Sequence, residues 1–229
     1  MIRYVKGAPP AGLTTLAATP GTSWNSLGAA DKDPIRAALV RDQGALCAYC
    51  QRRITVDADL ATGTSQMKIE HWTPRSAPTT RPLAWNQLLG VCLGVSREAA
   101  DGAPARNTQH CDTSRGDRKL FLHPVEGQGP DPREQLRYTK RGVVEPATPD
   151  ARVADDIQVL NLNARRIVRA REAVFDAAWK RLERSGFAAH EIRRLEKAHR
   201  IVTGSSTPEH AEFVRYHLNK KLKALGQLH

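Results

Sequence analysis

Residues 69–76 read I-E-H-W-T-P-R-S, and the reading of this stretch decides the fold. Met67 and Ile69 alternate with Lys68 and Glu70, the period of a half-buried strand. Prolines at 74, 78 and 82 then force an irregular loop. Glu70 and His71 therefore stand side by side near the end of a short strand, with Trp72 as a packing residue. Neighbouring strand side chains point to opposite faces, so both reach one point only at a bulge or a strand end.

Working outward, the stretch is bracketed by cysteines. Cys47 and Cys50 form C-A-Y-C before it, and Cys92 and Cys111 follow it, all within 65 residues. In a reducing compartment four thiols are not a disulfide framework. A Cys-x₂-Cys turn can place two thiolates on a tetrahedral Zn²⁺, and Cys92 and Cys111 supply the remaining pair. Alternatives are four buried free thiols, a redox C-x-x-C without the βαβ pattern that usually surrounds it, or His110 replacing Cys92 as fourth ligand.

Further out, residues 1–30 are rich in Gly, Pro, Ala, Thr and Ser and read as an extended arm on the surface. Residues 31–34, D-K-D-P, read as a helix start, with Pro at the first helical position and Gly44 as the stop. Q-R-R-I-T-V after the C-A-Y-C turn suggests a short strand, and W-N-Q-L-L-G-V-C at 85–92 a short buried turn or helix. Residues 93–109 look like an insertion, and L-R-Y-T-K-R-G-V-V-E-P within 126–154 like a hairpin. From residue 155 the pattern is helical. Asn163 is the expected cap of a helix with apolar Ile167, Val174, Phe175, Ala178 and Leu182, followed by helices near 188–203 and 208–225.

The order C-x₂-C, I-E-H-W-x-P-R-S, W-N-x-L-L, C, H-C-D-x-x-R-G-D resembles the HNH endonuclease family over residues 47–119. M-I-R-Y, C-D-x-x-R-G-D and I-Q-V-L-N-L-N (157–163) add a weaker likeness to PtuB-like members, which accompany retrons and the Septu antiphage system. The resemblance implies an α+β fold: a zinc-stabilised HNH (ββα-metal) core, preceded by an arm and a helix and followed by a helical C-terminal region. The corresponding divisions are 1–30, 31–125, 126–154 and 155–229. It implies DNA cleavage in antiphage defence, beside an SMC-like ATPase of PtuA type and possibly a retron complex. It also matches Asn86 to a central Asn that ties down a loop and orients the base. The second cysteine pair is opened by the insertion, and Asp112 stands where the family usually has His or Asn.

The residue types suit phosphodiester hydrolysis on physical grounds too. Glu70 and Asp112 offer the oxygen ligands that Mg²⁺ or Mn²⁺ prefers. A neutral His71 is suited to take a proton from the attacking water. Arg115 and Lys119, about a helical turn apart, are expected phosphate contacts. The bland alternatives are a solvated Glu-His couple and an Asp112 that only caps a helix.

The chain of 229 residues carries a net charge of +11 (+4 in residues 1–150, +7 beyond), which favours a polyanionic partner such as DNA. Arg165, Arg166, Arg169, Arg171, Lys180, Arg181 and Arg184 mix with Glu172, Asp176 and Glu183, either as a salt-bridged helix face or as a surface tracking phosphates. No apolar run approaches the ~18–20 residues of a membrane span, and no secretory leader pattern opens the sequence, so a cytoplasmic protein without a membrane is expected. The other function class kept open is a zinc-stabilised nucleic-acid- or partner-binding module without catalytic activity.

Overall fold

The computed structural model describes residues 1–56, 66–79, 81–94 and 109–227. Helix α2 (Ala29–Asp42) leads into the C-A-Y-C turn, and its start lies before the expected D-K-D-P. The Asp31 carboxylate accepts from the Gly28 N–H at 2.9 Å, so the acidic residue closes the first turn from within, and Pro34 falls inside the helix. α1 (Ala11–Ala18) and a 3₁₀ turn (Trp24–Ser26) precede it. The expectation of a surface arm fails at its beginning: Met1, Ile2 and Tyr4 are buried. Ile2 N–H donates to Ala48 O and Tyr4 N–H to Pro124 O, both at 3.0 Å, drawing these apolar side chains into the core.

β1 (Met67–His71) pairs antiparallel with β2 (Leu88–Cys92), with Met67 opposite Cys92 and His71 opposite Leu88. The second half of W-N-Q-L-L-G-V-C is thus a strand, entered through a 3₁₀ turn at Trp85–Gln87. The expected strand after the C-A-Y-C turn is a single bridge, Leu46 to Arg53. Gln43 knits these parts together. Its amide accepts from Gly90 N–H at 2.8 Å and donates to Gly90 O at 2.8 Å and Leu46 O at 2.7 Å. A Cβ at Gly90 would stand 2.9 Å from Ile54 Cδ1 and 3.2 Å from Gln43 Nε2, so glycine leaves these side-chain ends room to pack against the strand. α3 (Asp112–Arg115) follows; most of the expected insertion lies outside the described residues.

The rest is mainly helical. α4 (Pro132–Gln135) leads into the hairpin of β3 (Leu136–Tyr138) and β4 (Val144–Pro146), then α5 (Ala151–Val159), α6 (Arg165–Glu183), α7 (Ala189–Ala198) and α8 (Ala211–Ala224). Asn163 does not cap α6. Its side chain clamps both the N–H and the C=O of Val144 at 2.9 Å, leaving Ala164 as the cap. One apolar cluster runs from Met1 through β1, β2 and α6 to Leu222 of α8. Among the described residues, no helix is long and apolar enough to cross a membrane.

Candidate metal centre and the polar cavity beside it

Cys47 and Cys50 sit on the turn after α2, Cys92 ends β2, and Cys111 immediately precedes α3. All four thiols are buried, and their sulfurs lie within 4.8 Å of one another. The closest pairs measure 3.7 Å (Cys50–Cys92) and 3.8 Å (Cys47–Cys111 and Cys92–Cys111). With metal–sulfur bonds of ~2.3 Å, a tetrahedron has sulfur–sulfur edges of ~3.8 Å. The group is therefore sized to bind a metal such as zinc, and its donors are the soft thiolates such ions take. Burial pushes the Cys111 thiol up, whereas hydrogen bonds from the other cysteines and His110 outweigh burial at Cys50 and hold it well down. Four such groups cannot all ionise side by side without a cation between them.

His110 is buried against this cluster, with Nδ1 3.2 Å from Cys111 Sγ and 3.8 Å from Cys92 Sγ. The mutually close set is made of the four cysteines, so His110 supports it from outside. Cys111 adopts φ 56°, a left-handed conformation that lets its N–H reach Leu160 O at 2.8 Å while α3 starts in a new direction.

That change of direction separates Cys111 from Asp112. The carboxylate of Asp112 lines a cavity of about 220 Å³ together with Glu70, His71, Trp24, Arg75 and Asp117. Glu70 and His71 are the last two residues of β1, and the strand end admits both to one space. His71 Nε2 lies 3.0 Å from Pro82 O, and a carbonyl only accepts, so Nε2 carries the proton and Nδ1 is the acceptor. Burial holds the His71 imidazole down to about 4, which keeps it neutral. Trp24 packs edge-on to it with ring centroids 4.5 Å apart. Burial, followed by the hydrogen-bonded Asp112 carboxyl, pushes Glu70 up to about 8.

Comparison with known proteins adds one relative. Over 93 residues the chain is 30% identical to "Retron Vc95 putative HNH endonuclease" of Vibrio cholerae serotype O1 biovar El Tor. The match covers 38% of this chain and 38% of that relative. No family model matches the chain.

The remaining expected site residues are placed differently. Arg115, expected on phosphate, is buried and turned inward. It pairs with the Glu70 carboxylate and donates to His71 O at 3.1 Å, Trp72 O at 2.5 Å and Arg118 O at 2.7 Å. Its guanidinium thus ties α3 to the end of β1. Lys119 is exposed, but α3 ends at Arg115 and Gly116 (φ 58°) turns the chain away, so the two cations do not share a helix. Asn86 is exposed and donates to Gln128 Oε1 at 2.9 Å, outside the cavity lining. The neighbouring Gln87 secures the loop after β1 instead, accepting from Thr73 N–H at 3.2 Å and Thr73 O–H at 2.6 Å. Lys68 reaches Asp112 at 3.3 Å. Asp117, a third carboxylate, Arg75 and Trp24 are cavity residues that sequence reasoning missed. Asp117 lies inside the quoted H-C-D-x-x-R-G-D motif, whereas nothing local marks Trp24.

Proposed function

We propose that the chain is a metal-dependent HNH-type endonuclease that hydrolyses phosphodiester bonds in DNA, with residues 31–125 as its ββα-metal core. The carrying observation is the meeting of Glu70, His71 and Asp112 in one polar cavity beside the four-sulfur cluster. Cys47, Cys50, Cys92 and Cys111 hold structural Zn²⁺ in this reading. Glu70 and Asp112 hold Mg²⁺ or Mn²⁺, which would neutralise charge on the scissile phosphate. His71, with Nε2 fixed by Pro82 O, accepts the water proton at Nδ1. Trp24 and the Arg115 clamp hold its strand end in place. Asn86 acts at a distance, fastening the turn before β2 to residue 128. The relative's retron name and the charge of +11 support a cytoplasmic role in antiphage defence on DNA. The expected partners are an SMC-like ATPase and a retron complex.

A second reading, a zinc-stabilised binding module without turnover, draws on the internal cations: Arg115 pairs with Glu70, and Lys68 with Asp112. Supercoiled plasmid, incubated with and without added Mg²⁺ or Mn²⁺, separates the two. Nicking that needs the divalent ion and falls at least ~100-fold in His71→Ala is expected. Cleavage by His71→Ala at the wild-type rate sinks the assignment. Salt-sensitive DNA binding without cleavage under either metal establishes the second reading.

A further inference from the structure

A second cavity adjoins the first. It measures about 460 Å³, and its lining combines the apolar Ala17, Trp24, Pro82, Leu83 and Ala84 with Thr22, Ser23 and Arg81. Trp24 is the shared wall of both cavities. Pro82, which lines the second, supplies the carbonyl bonded to His71 in the first. Arg75, which lines the first, donates from Nη1 to Asn25 Oδ1 at 2.9 Å, next to Trp24. The 3₁₀ turn Trp24–Ser26 is therefore fixed to the polar cavity from two sides, and Trp24 and Leu83 pack against the core as a firm apolar wall.

We propose that this apolar groove is a subsite for one unstacked nucleobase, adjacent to the phosphodiester held in the polar cavity. The inference rests on the nuclease reading and names the substrate feature it would take. The volume falls in the ~300–1,000 Å³ range of small-ligand sites. The lining is mostly flat or apolar, with the hydroxyl residues Thr22 and Ser23 and the cation Arg81 but no carboxylate, which suits a base plane and places no like charge against neighbouring phosphates. Arg75 and Arg81 are both exposed and line one cavity each, so a strand crossing Trp24 from one cavity to the other would meet a cation in both. Recognition of this kind uses shape and stacking rather than base edges, so it tolerates sequence.

The test uses the full zinc-loaded chain and labelled single-stranded oligonucleotides, with one abasic position moved along the strand, read by fluorescence anisotropy. One abasic position is expected to weaken binding ~10-fold, with little effect from the others. Filling the groove with Ala84→Trp, or with Ala17→Trp from the opposite wall if the first fails to fold, is expected to remove that position dependence. Equal affinity for intact and abasic strands at every position overturns the subsite and leaves the groove to a protein partner. So does a filled variant that keeps the wild-type pattern. Bis(p-nitrophenyl) phosphate, a phosphodiester without a base, keeps the two ideas apart. Base-dependent binding by a wild-type chain that hydrolyses neither substrate refutes the nuclease reading and upholds the subsite.

Discussion

The sulfur cluster and the carboxylate cavity are built from the same short elements, yet they differ in how their charge is managed. Cys92 ends β2 and Cys111 precedes α3, while Glu70 and His71 end β1 and Asp112 opens α3. The sulfurs bond to one another and to His110, with the buried Arg171 charge acting on Cys50 and Cys111, whereas Glu70 has Arg115 and Asp112 has Lys68 as a direct partner. One centre needs a cation from outside to ionise. The other is already neutralised from within, so an incoming divalent ion competes with side chains that the fold supplies. Adjacent residues, Cys111 and Asp112, are directed into these two regimes by a single left-handed backbone angle.

Breaking the sulfur cluster has the largest expected effect. Structural zinc contributes ~10–16 kcal/mol of binding free energy in small domains. Cys47→Ser is therefore expected to lose the metal, measured by elemental analysis, and to lose a cooperative thermal transition. A variant that melts like the wild type would refute a structural metal.

Next in size is the buried pair. Arg115→Met unmakes the five hydrogen bonds that the buried guanidinium donates, to Tyr49, Glu70, His71, Trp72 and Arg118, so a loss of ~3–5 kcal/mol in urea unfolding is expected. Part of this should return in the double variant with Glu70→Gln. An Arg115→Met variant as stable as wild type, with lowered DNA affinity, would make Arg115 a phosphate contact after all.

A smaller effect is expected from acid. His123, His210 and His217 are buried, and burial holds each down to about 4, below the usual imidazole value of 6.5. The unfolded chain binds these protons first as pH falls below about 6.5. Their contribution is thus full at neutral pH and is lost progressively towards pH 4. Glu70 and Asp156, raised to about 8 and 6, and Glu212, also raised by burial, oppose this trend, while His71 and His199, lowered by burial, add to it. His217→Phe, which keeps a ring among Phe175, Trp179 and Phe213, should flatten the fall by at most ~1.4 kcal/mol per pH unit. An unchanged pH profile would exclude His217 from it.

The smallest effect sharpens the comparison. Lys68→Ala removes the half-exposed cation from Asp112. Such pairs contribute ~0–1 kcal/mol, so Mn²⁺ should bind up to a few-fold more tightly by titration. Weaker Mn²⁺ binding would mean that Lys68 supports the ion's site.

What could be read in the sequence was the part with local periodicity or spacing. Alternation in M-K-I-E-H placed β1, and the apolar spacing of Ile167, Phe175 and Leu182 placed α6. Paired turn residues gave the β3–β4 hairpin, and the cysteine spacing anticipated a cluster that only the fold could close. L-L-G-V-C was ambiguous because a short apolar run fits a buried strand or a helix equally well. The inward turn of Arg115 was hidden for a different reason. Sequence shows a cation in a basic motif, but only packing reveals that five inward acceptors claim it. The entry of Met1, Ile2 and Tyr4 into the core is likewise non-local, set by partners at Ala48 and Pro124.

The short C-A-Y-C turn also governs the far end of the molecule. Gln51, buried with φ 67°, accepts from His210 N–H at 3.0 Å through its carbonyl and from Glu212 N–H at 2.8 Å through its side chain. Arg53 continues the seam with Glu209 and Thr207. The first turn of α8 is thus written onto the loop that holds half of the thiols. Whatever levers the last helix away from the body would also loosen the loop that carries Cys47 and Cys50, so the firmness of that latch bears on how closely the four sulfurs are held together.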